Sequence, residues 1–173
     1  KRFKRKQEAE ELVEKINAAD KAKISKMETT TKTEKPPLLY DLTSLQRDAN
    51  KYYGFTAQQT LDYTQSLYEK KLVTYPRTDS RYLTDDMDDS TARLCCLMKD
   101  KYGYTNMVPI HTKQVLNSRK VSDHHAIIPT ENVSDADYSE IPSGEQKILG
   151  LVTARLLSSV GDPAEITEYA LEV

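Results

Sequence analysis

The residues best suited to chemistry are Tyr75 and Arg77, two positions apart in the run YPRTDS at 75–80. A tyrosine hydroxyl can attack phosphorus and hold it covalently. A free phenol is protonated at neutral pH, so the attack needs a proton acceptor or a cation that stabilises the phosphate. Arg77 would lie on the same side as Tyr75 if the run is extended, and its planar fork suits two phosphate oxygens. The spacing permits phosphate chemistry, but in a chain with 11 tyrosines a Tyr-x-Arg spacing alone favours a half-buried tyrosine beside a surface arginine.

Other patterns with chemical meaning are weaker. The adjacent His124 and His125 suggest a metal site, but sequence neighbours point in different directions and no third ligand is suitably spaced. The acidic cluster at 85–89 falls in the first turn of a predicted helix, where carboxylates are favoured by the helix dipole. The sequence has no glycine-rich phosphate loop, HExxH motif or GxSxG motif. We therefore predict no metal site in this chain.

The composition is typical of a folded domain. The 173 residues are 38% hydrophobic and 30% charged, which excludes a disordered, collagen-like or disulfide-stapled class. No stretch approaches the ~20 apolar residues of a membrane span. The adjacent Cys95 and Cys96 form neither a metal-ligand spacing nor a disulfide framework, which fits a reducing cytosol. We therefore expect a cytoplasmic protein with no membrane partner.

The net charge of −2 argues mildly against a nucleic-acid binder, but it is distributed unevenly. Residues 1–35 carry a charge of +4, residues 36–130 carry +1, and residues 131–173 carry −7. The chain also starts at Lys1 and stops inside a predicted strand. We therefore expect a piece of a larger protein, in which the acidic end belongs to a different surface.

The best-defined elements that could position Tyr75 are two helices predicted over 42–69. Two capping boxes mark their starts: Thr43 with Gln46, and Thr56 with Gln59. Gly54 supplies the left-handed residue that ends the first helix. Two helices joined by so short a turn form a helix-turn-helix unit, and most αα-hairpins of this kind never touch DNA. A noncatalytic DNA-binding or protein-interaction module built on this unit is therefore one alternative function.

Further elements are predicted on both sides of this pair. Apolar periodicity predicts a helix over 6–18, and a partly alternating run predicts a strand over 21–34. Pro36 and Pro37 then mark a domain boundary. Later helices are predicted from Thr84, which would cap the first of them, and from Ser143 (a capping box with Gln146) to Ser159, and a strand is predicted over 165–173.

Helical periodicity also predicts the apolar faces of two helices. In the second helix of the pair over 42–69 this face holds Ala57, Leu61 and Tyr68. In the last helix it holds four residues: Ile148, Leu149, Val152 and Leu156.

At the level of whole motifs the sequence resembles a known family. The run LTSLQRDANKYYGFTAQQTLDYTQSLYEKKLVTYPRTDSRYL at 42–83 resembles the segment around the nucleophilic tyrosine of type IA DNA topoisomerases, in particular the bacterial topoisomerase III group. The run DHHAIIPT at 123–130 is similar to the family's downstream histidine motif, at about the expected separation. The flanks at 1–36 and 140–173 resemble the family more loosely.

The resemblance implies roles for individual residues. Tyr75 matches the nucleophile that keeps the 5′ phosphate of the cut strand, and Arg77 matches an arginine that contacts and positions the scissile phosphate. His124 matches the active-site histidine near that phosphate, whereas His125 occupies a position that varies between subgroups. Three further residues are carried over as lesser contributors near the tyrosine or in its turn: Gln65, Thr78 and Asp79.

The resemblance also implies a fold and a domain organisation. We expect an α+β fold in which helices predominate, with a helix-turn-helix (CAP-like) domain III and a small antiparallel sheet from flanking segments of the arch domain. Residues 1–36 would be an arch segment with a helix and a strand, residues 37–162 the tyrosine-bearing domain III, and residues 163–173 the returning arch strand. The strands of the two flanks could pair with each other.

The activity implied is that of the whole enzyme, which cuts one DNA strand, passes another through the gap and reseals the cut without ATP. Its Mg²⁺ would be bound by a separate toprim domain that nothing here matches, and this chain would bind none. We therefore expect the isolated chain to be inactive.

The resemblance further implies single-stranded or underwound DNA as substrate, a helicase as a partner in the cell, and a location at the bacterial nucleoid. A tyrosine recombinase is disfavoured, because it needs several spaced Arg, Lys and His residues before a late tyrosine, and Tyr75 comes early.

Overall fold

The computed structural model describes residues 3, 5–19, 21, 23–104 and 110–172. These residues form five α-helices and two strands: α1 (Lys6–Asn17), β1 (Lys26–Glu34), α2 (Leu42–Tyr53), α3 (Ala57–Glu69), α4 (Asp88–Tyr102), α5 (Ser143–Ser159) and β2 (Ala164–Glu172). Short 3₁₀ turns lie between α3 and α5. The predicted α+β class with predominant helices is confirmed.

The chain divides into two compact units. The flanking unit comprises residues up to 34 together with those from 165 onward, and the central unit comprises residues 35–164. The central unit contains the helices α2 to α5, and the flanking unit contains α1 and the strands. That the two units correspond to arch segments and to domain III remains a prediction.

In the flanking unit, β1 and β2 pair as a two-stranded antiparallel sheet. The Ser25 amide donates to the Glu172 carbonyl at 2.7 Å, and the Lys32 ammonium lies 2.5 Å from the Glu168 carboxylate. Every residue of both strands is exposed, and α1 buries none of its residues. The strand predicted over 21–34 begins only at Lys26, because the pairing with β2 ends at Ser25.

In the central unit, α5 contributes more buried residues than α2, α3 or α4 does. Its predicted apolar face is buried and packs against α2, α3 and α4: Ile148, Leu149, Val152 and Leu156. The buried Glu145 carboxylate accepts from the Ser66 hydroxyl at 2.9 Å and from the Lys70 ammonium at 2.6 Å, which ties α5 to the end of α3. A Cβ at Gly144 would lie 2.6 Å from the Tyr63 ring, so a larger residue at this position would require that ring to shift.

A polar cluster ties the segment before α2 to the core. The Arg155 guanidinium donates to the Leu38 carbonyl, to the Tyr40 hydroxyl and to the Asp48 carboxylate, at 3.1, 3.1 and 2.5 Å. Tyr40 donates to Asp48 at 2.6 Å. Burial raises the pKa of Tyr40, and the bond to Asp48 raises it further. The cluster therefore pins residues 38–40, α2 and α5 to one another.

The start of α2 differs from the prediction. The helix begins at Leu42, and Asp41 caps it by accepting from the Ser44 amide at 2.6 Å. The predicted cap, Thr43, lies inside the helix, because Asp41 stands two residues earlier with a better-placed side chain. The end of the helix is confirmed, with Gly54 in the left-handed conformation at φ 69°.

The other predicted helix starts had mixed outcomes. The capping box of Thr56 with Gln59 at α3 is confirmed, with both bonds present. The prediction of Thr84 as a side-chain cap is wrong, because Ser118 accepts from the Asp85 amide instead, at 2.7 Å.

The predicted capping box at α5 is also wrong. Ser143 is the first residue of the helix and follows Pro142, which has no side-chain donor or acceptor. The Gln146 side chain does not reach back to the helix start in the predicted way. It donates instead to the carbonyls of Tyr138 and Ile141, at 2.8 and 2.7 Å.

Candidate active site

The segment that carries Tyr75 runs antiparallel to the segment that carries His124. Four contacts mark the alignment: the bridge between Val73 and Pro129, the Thr74 amide to the Ile128 carbonyl at 3.0 Å, the Thr78 hydroxyl to the His124 carbonyl at 2.9 Å, and the Ser80 hydroxyl to the Lys120 carbonyl at 2.8 Å. The residue numbers rise along one segment as they fall along the other. This alignment brings together two motifs that are 49 positions apart in sequence.

Tyr75 lies in an aromatic contact at the middle of this alignment. Its ring centre is 4.3 Å from that of His124, with the two planes inclined at 41°. A second ring, that of Tyr68 at the end of α3, approaches at 5.4 Å with an edge-to-face angle of 78°. Tyr75 is half-buried and His124 is exposed. The structure therefore places the predicted nucleophile and the predicted histidine in direct contact, on the surface of the central unit.

Tyr68 is the site residue that sequence reasoning missed. The helical pattern placed it on the apolar face of α3, but the side chain is 40% exposed and contacts Tyr75. The available signal was its spacing of three from Gln65, which puts both residues on one helix face. The Gln65 amide itself donates to the Glu69 carboxylate at 2.9 Å, within α3.

Arg77 lies at the site, but the backbone around it is not extended as the sequence predicts. The extended run is interrupted by a bend at Pro76 and Arg77, so the expectation based on strand alternation does not apply. The Arg77 side chain is exposed. It lines a cleft of about 540 Å³ together with these residues: Asp41, Leu42, Thr43, Leu61, Thr78, Asp79, Ser122, Asp123 and His124. His124 thus contacts Tyr75 and shares this cleft with Arg77.

Thr78 and Asp79 hold the two segments in register. The buried Thr78 hydroxyl donates to the His124 carbonyl and accepts from the Ser80 amide at 3.1 Å. The Asp79 carboxylate accepts from the Ser122 hydroxyl at 3.3 Å. The bond from Thr78 to His124 and the bond from Ser122 to Asp79 cross between the two segments, so the loop around His124 is fixed by the residues that follow Tyr75.

The start of α2 borders the same cleft but offers little to an anion. The Leu42 amide donates to the Thr78 carbonyl at 3.2 Å, and the Ser44 amide donates to Asp41. The helix amides that would attract a phosphate are therefore partly used within the chain. Asp41, Asp79 and Asp123 also line the cleft and repel anions from its rim. An anion bound here would depend on Arg77 and His124.

The second histidine is placed differently from the first. The Nδ1 atom of His125 lies 2.8 Å from the Ala126 carbonyl, and the side chain is half-buried. Within the described ranges, no group of three or more His, Cys, Asp or Glu residues is arranged to hold a metal ion. Over the same residues, no helix is both long and apolar enough to cross a membrane.

Comparison with known proteins identifies relatives along the whole chain. A family model described as DNA topoisomerase matches residues 1–173. DNA topoisomerase 3 of Shouchella clausii is 42% identical over 154 residues, which cover 82% of this chain and 20% of that protein. DNA topoisomerase 3 of Staphylococcus saprophyticus is 39% identical over 170 residues, covering 94% and 24%. The chain therefore spans about a fifth to a quarter of the length of these relatives.

A solved structure shares the fold. The full-length topoisomerase I from Thermotoga maritima matches with a TM-score of 0.63 and covers 93% of this chain, which corresponds to 26% of that protein. The sequence identity is 23%, so this likeness concerns the fold alone.

Proposed function

The chain belongs to the DNA topoisomerase family, and from this premise we propose that it is the tyrosine-bearing part of a longer type IA enzyme. That enzyme would cut one DNA strand, pass another through the gap and reseal the first without ATP. The observation that carries the proposal is the ring contact of Tyr75 with His124, 4.3 Å apart, beside a cleft lined by Arg77. Phosphoryl transfer to a tyrosine requires a nucleophile and a group that stabilises the charge on the phosphate, and Tyr75 and Arg77 would supply them.

In the proposed reaction the Tyr75 hydroxyl attacks a DNA phosphate. The phenolic O–H bond breaks, an O–P bond forms, and the bond from phosphorus to the 3′ oxygen breaks as that oxygen takes up a proton. The strand then carries a 5′ phosphotyrosine. Resealing is the reverse attack by the 3′ hydroxyl, so the ester conserves the bond energy and no ATP is consumed.

The two other principal residues act on the phosphate. The Arg77 guanidinium would bind two of its non-bridging oxygens and stabilise the charge that grows on them in the transition state. His124 would contact the phosphate from the side of the Tyr75 ring, because its imidazole already touches that ring. Thr78 and Asp79 would keep His124 in place through the bonds described above.

Two residues of α3 would support the nucleophile from behind. Tyr68 contacts the Tyr75 ring edge-to-face, an arrangement that limits the ring's rotation. We assign it a positioning role, with no contact to the reacting atoms. Gln65 lies on the same helix face one turn earlier, and its amide donates to Glu69 within the helix.

The Mg²⁺ that the resemblance implies does not fit the residues of this chain. Over the described ranges, no three His, Cys, Asp or Glu side chains are grouped to hold a metal ion, and the three acids that line the cleft form no such group. We propose that the ion is held by a toprim domain elsewhere in the longer enzyme. The isolated chain should then fail to relax DNA, although its Tyr75 and His124 are already in contact.

The substrate and setting follow from the same proposal. Single-stranded or underwound DNA suits an enzyme that attacks one strand, because the strand must be free to reach Tyr75. We place the enzyme at the bacterial nucleoid, in the cytoplasm, with a helicase as a partner that would supply unpaired DNA.

The alternative, a noncatalytic module built on α2 and α3, receives less support. In a helix-turn-helix the second helix reads the DNA, and DNA-binding surfaces are rich in Lys and Arg. Between Ala57 and Glu69, α3 has no Lys or Arg and has two acids, Asp62 and Glu69. This charge is unfavourable for a helix that enters a DNA groove.

The proposal is tested by trapping the covalent intermediate in the longer enzyme. With a labelled single-stranded oligonucleotide, the unmodified enzyme should yield a protein–DNA adduct, and peptide mapping should place the label on Tyr75. Tyr75→Phe should abolish both the adduct and DNA relaxation, because phenylalanine has no oxygen to form the ester. The matched control is Tyr104→Phe, at a tyrosine that is 49% exposed. A Tyr75→Phe enzyme that still relaxes DNA would disprove the proposal.

A further inference from the structure

A second cationic position lies on the same pair of segments as the candidate active site. The bond from the Ser80 hydroxyl to the Lys120 carbonyl extends the alignment that joins Tyr75 to His124. Lys120 is four residues from His124, and four extended residues span at most about 14 Å. This maximum distance corresponds to about four nucleotides of a duplex strand, in which successive nucleotides are roughly 3.4 Å apart. In an extended single strand the spacing is larger, so the same distance covers fewer nucleotides.

The Lys120 ammonium is held in place by an aromatic ring. Its nitrogen lies 4.6 Å from the centre of the Tyr82 ring and 3.3 Å from the Tyr82 hydroxyl. Tyr82 is itself anchored, because its carbonyl accepts from the Ala126 amide at 3.0 Å and its amide donates to Ser80 at 3.2 Å. A cation restrained in this way loses less side-chain entropy when it binds an anion than a free lysine would.

The charge around Lys120 favours an anionic partner. Residues 110–122 include Lys113, Arg119 and Lys120 but no Asp or Glu, in a chain whose net charge is −2. Among the residues that the structure describes, no carboxylate lies within 4.0 Å of the Lys120 ammonium. The ammonium is therefore exposed and available to a ligand.

We propose that Lys120, restrained by Tyr82, binds a backbone phosphate of the DNA strand that Tyr75 attacks, one to four nucleotides from the scissile phosphate. The inference rests on the proposed function, which supplies the DNA strand at Tyr75. Lys120 is a binding residue in this scheme, since the phosphate assigned to it is not the one that Tyr75 attacks. It fixes the register of the strand over the cleft.

The binding test uses the longer enzyme with Tyr75→Phe, so that no covalent adduct forms, and a single-stranded oligonucleotide that contains one cleavage site. Adding Lys120→Gln should weaken binding about three- to tenfold near 0.1 M salt and lower the slope of log affinity against log salt by about 0.7. Lys120→Arg should restore most of the affinity. The matched control is Lys113→Gln, an exposed lysine of the same segment that lines a different cleft, with His111 and Pro163.

A scan of the DNA backbone locates the phosphate. Oligonucleotides with one neutral methylphosphonate at successive positions should show one position, within four nucleotides of the cleavage site, at which neutralisation weakens binding about three- to tenfold. The same substitution should have no effect on the Lys120→Gln enzyme, because the partner charge is already absent. A structural defect would instead weaken binding at every position alike.

The outcomes separate the two proposals. Equal effects of Lys120→Gln and Lys113→Gln, or a methylphosphonate effect that persists in Lys120→Gln, would overturn the role of Lys120 and leave the proposed function intact. A covalent adduct that survives Tyr75→Phe would overturn the proposed function, whatever the lysine variants do. An unchanged thermal unfolding midpoint in Lys120→Gln excludes misfolding as the cause of weaker binding.

Discussion

The central unit and the flanking unit of this chain differ in how much apolar surface they bury. In the central unit, four helices bury a continuous set of apolar side chains, and Leu45, Leu67 and Leu149 are wholly excluded from solvent. In the flanking unit, two nine-residue strands pair without burying a residue, and the apolar side chains Ile166 and Leu171 are 37% and 52% exposed. Both units contain regular backbone hydrogen bonding. The buried apolar cluster lies in the central unit, whereas the strands of the flanking unit bury none of their residues.

The difference concerns stability, because burial of apolar surface is the main favourable contribution to folding. An isolated two-stranded sheet is marginally stable at best in water. We therefore expect the central unit to fold from its own sequence, and the flanking unit to be only weakly ordered in this chain. The candidate active site belongs entirely to the stable unit, since Tyr68, Tyr75, Arg77 and His124 all lie within residues 35–164.

The largest expected effect is in amide hydrogen exchange. In the isolated chain, amides at the centre of α5, around Val152, should exchange at least about a thousandfold more slowly than unstructured amides, because they open only with global unfolding. Amides of β1 and β2 should be protected less than about tenfold. Exchange measured by NMR or mass spectrometry checks this. Equal protection in β2 and α5 would show that the flanking unit is stabilised in a way that its exposed residues do not explain.

The next effect compares matched leucines in the two units. Leu149→Ala removes a side chain with no exposed surface and should lower the free energy of unfolding by about 2–5 kcal/mol. Leu171→Ala removes a side chain that is 52% exposed and should lower it by less than about 0.5 kcal/mol. Urea denaturation followed by circular dichroism measures both. The comparison fails if the two variants lose the same free energy.

The smallest effect tests the corrected start of α2 within the stable unit. Asp41→Ala removes the side chain that accepts from the Ser44 amide and should cost about 1 kcal/mol of unfolding free energy. Thr43→Ala, two residues later, replaces an exposed side chain inside the helix and should change it by less than about 0.5 kcal/mol. The same denaturation series measures the pair. A larger loss at Thr43 would restore it as the cap.

The features that could be predicted from the sequence are those fixed by neighbouring residues. The turn between α2 and α3 depends on Gly54, Thr56 and Gln59, which bond to backbone groups within five residues, and all three were predicted correctly. The buried face of α5 follows from helical periodicity in the same way. The cap of α2 was missed because Asp41 and Thr43 are both capping residues, and local preference does not choose between two such side chains two residues apart.

The arrangement of the site could not be derived from local pattern. The contact of Tyr75 with His124 depends on how two segments 49 positions apart align, and neither segment is a regular strand with a readable alternation. The resemblance to a family named both residues but gave no register. Tyr68 was placed on the apolar face of its helix and not at the site, because a helical pattern reports only that residues share a face and not what covers that face.

The hydroxyl of Thr78, buried between the two segments, has a consequence for the motion of the proposed enzyme. Because it bonds the backbone that bears His124 to the segment that bears Tyr75, the two side chains should keep their contact in any movement of the central unit as a whole. The severed strand would then keep the same histidine neighbour from cutting to rejoining. Accurate resealing would then depend on the return of the free 3′ hydroxyl end of the DNA to Tyr75 and His124. It would not require Tyr75 and His124 to come together again.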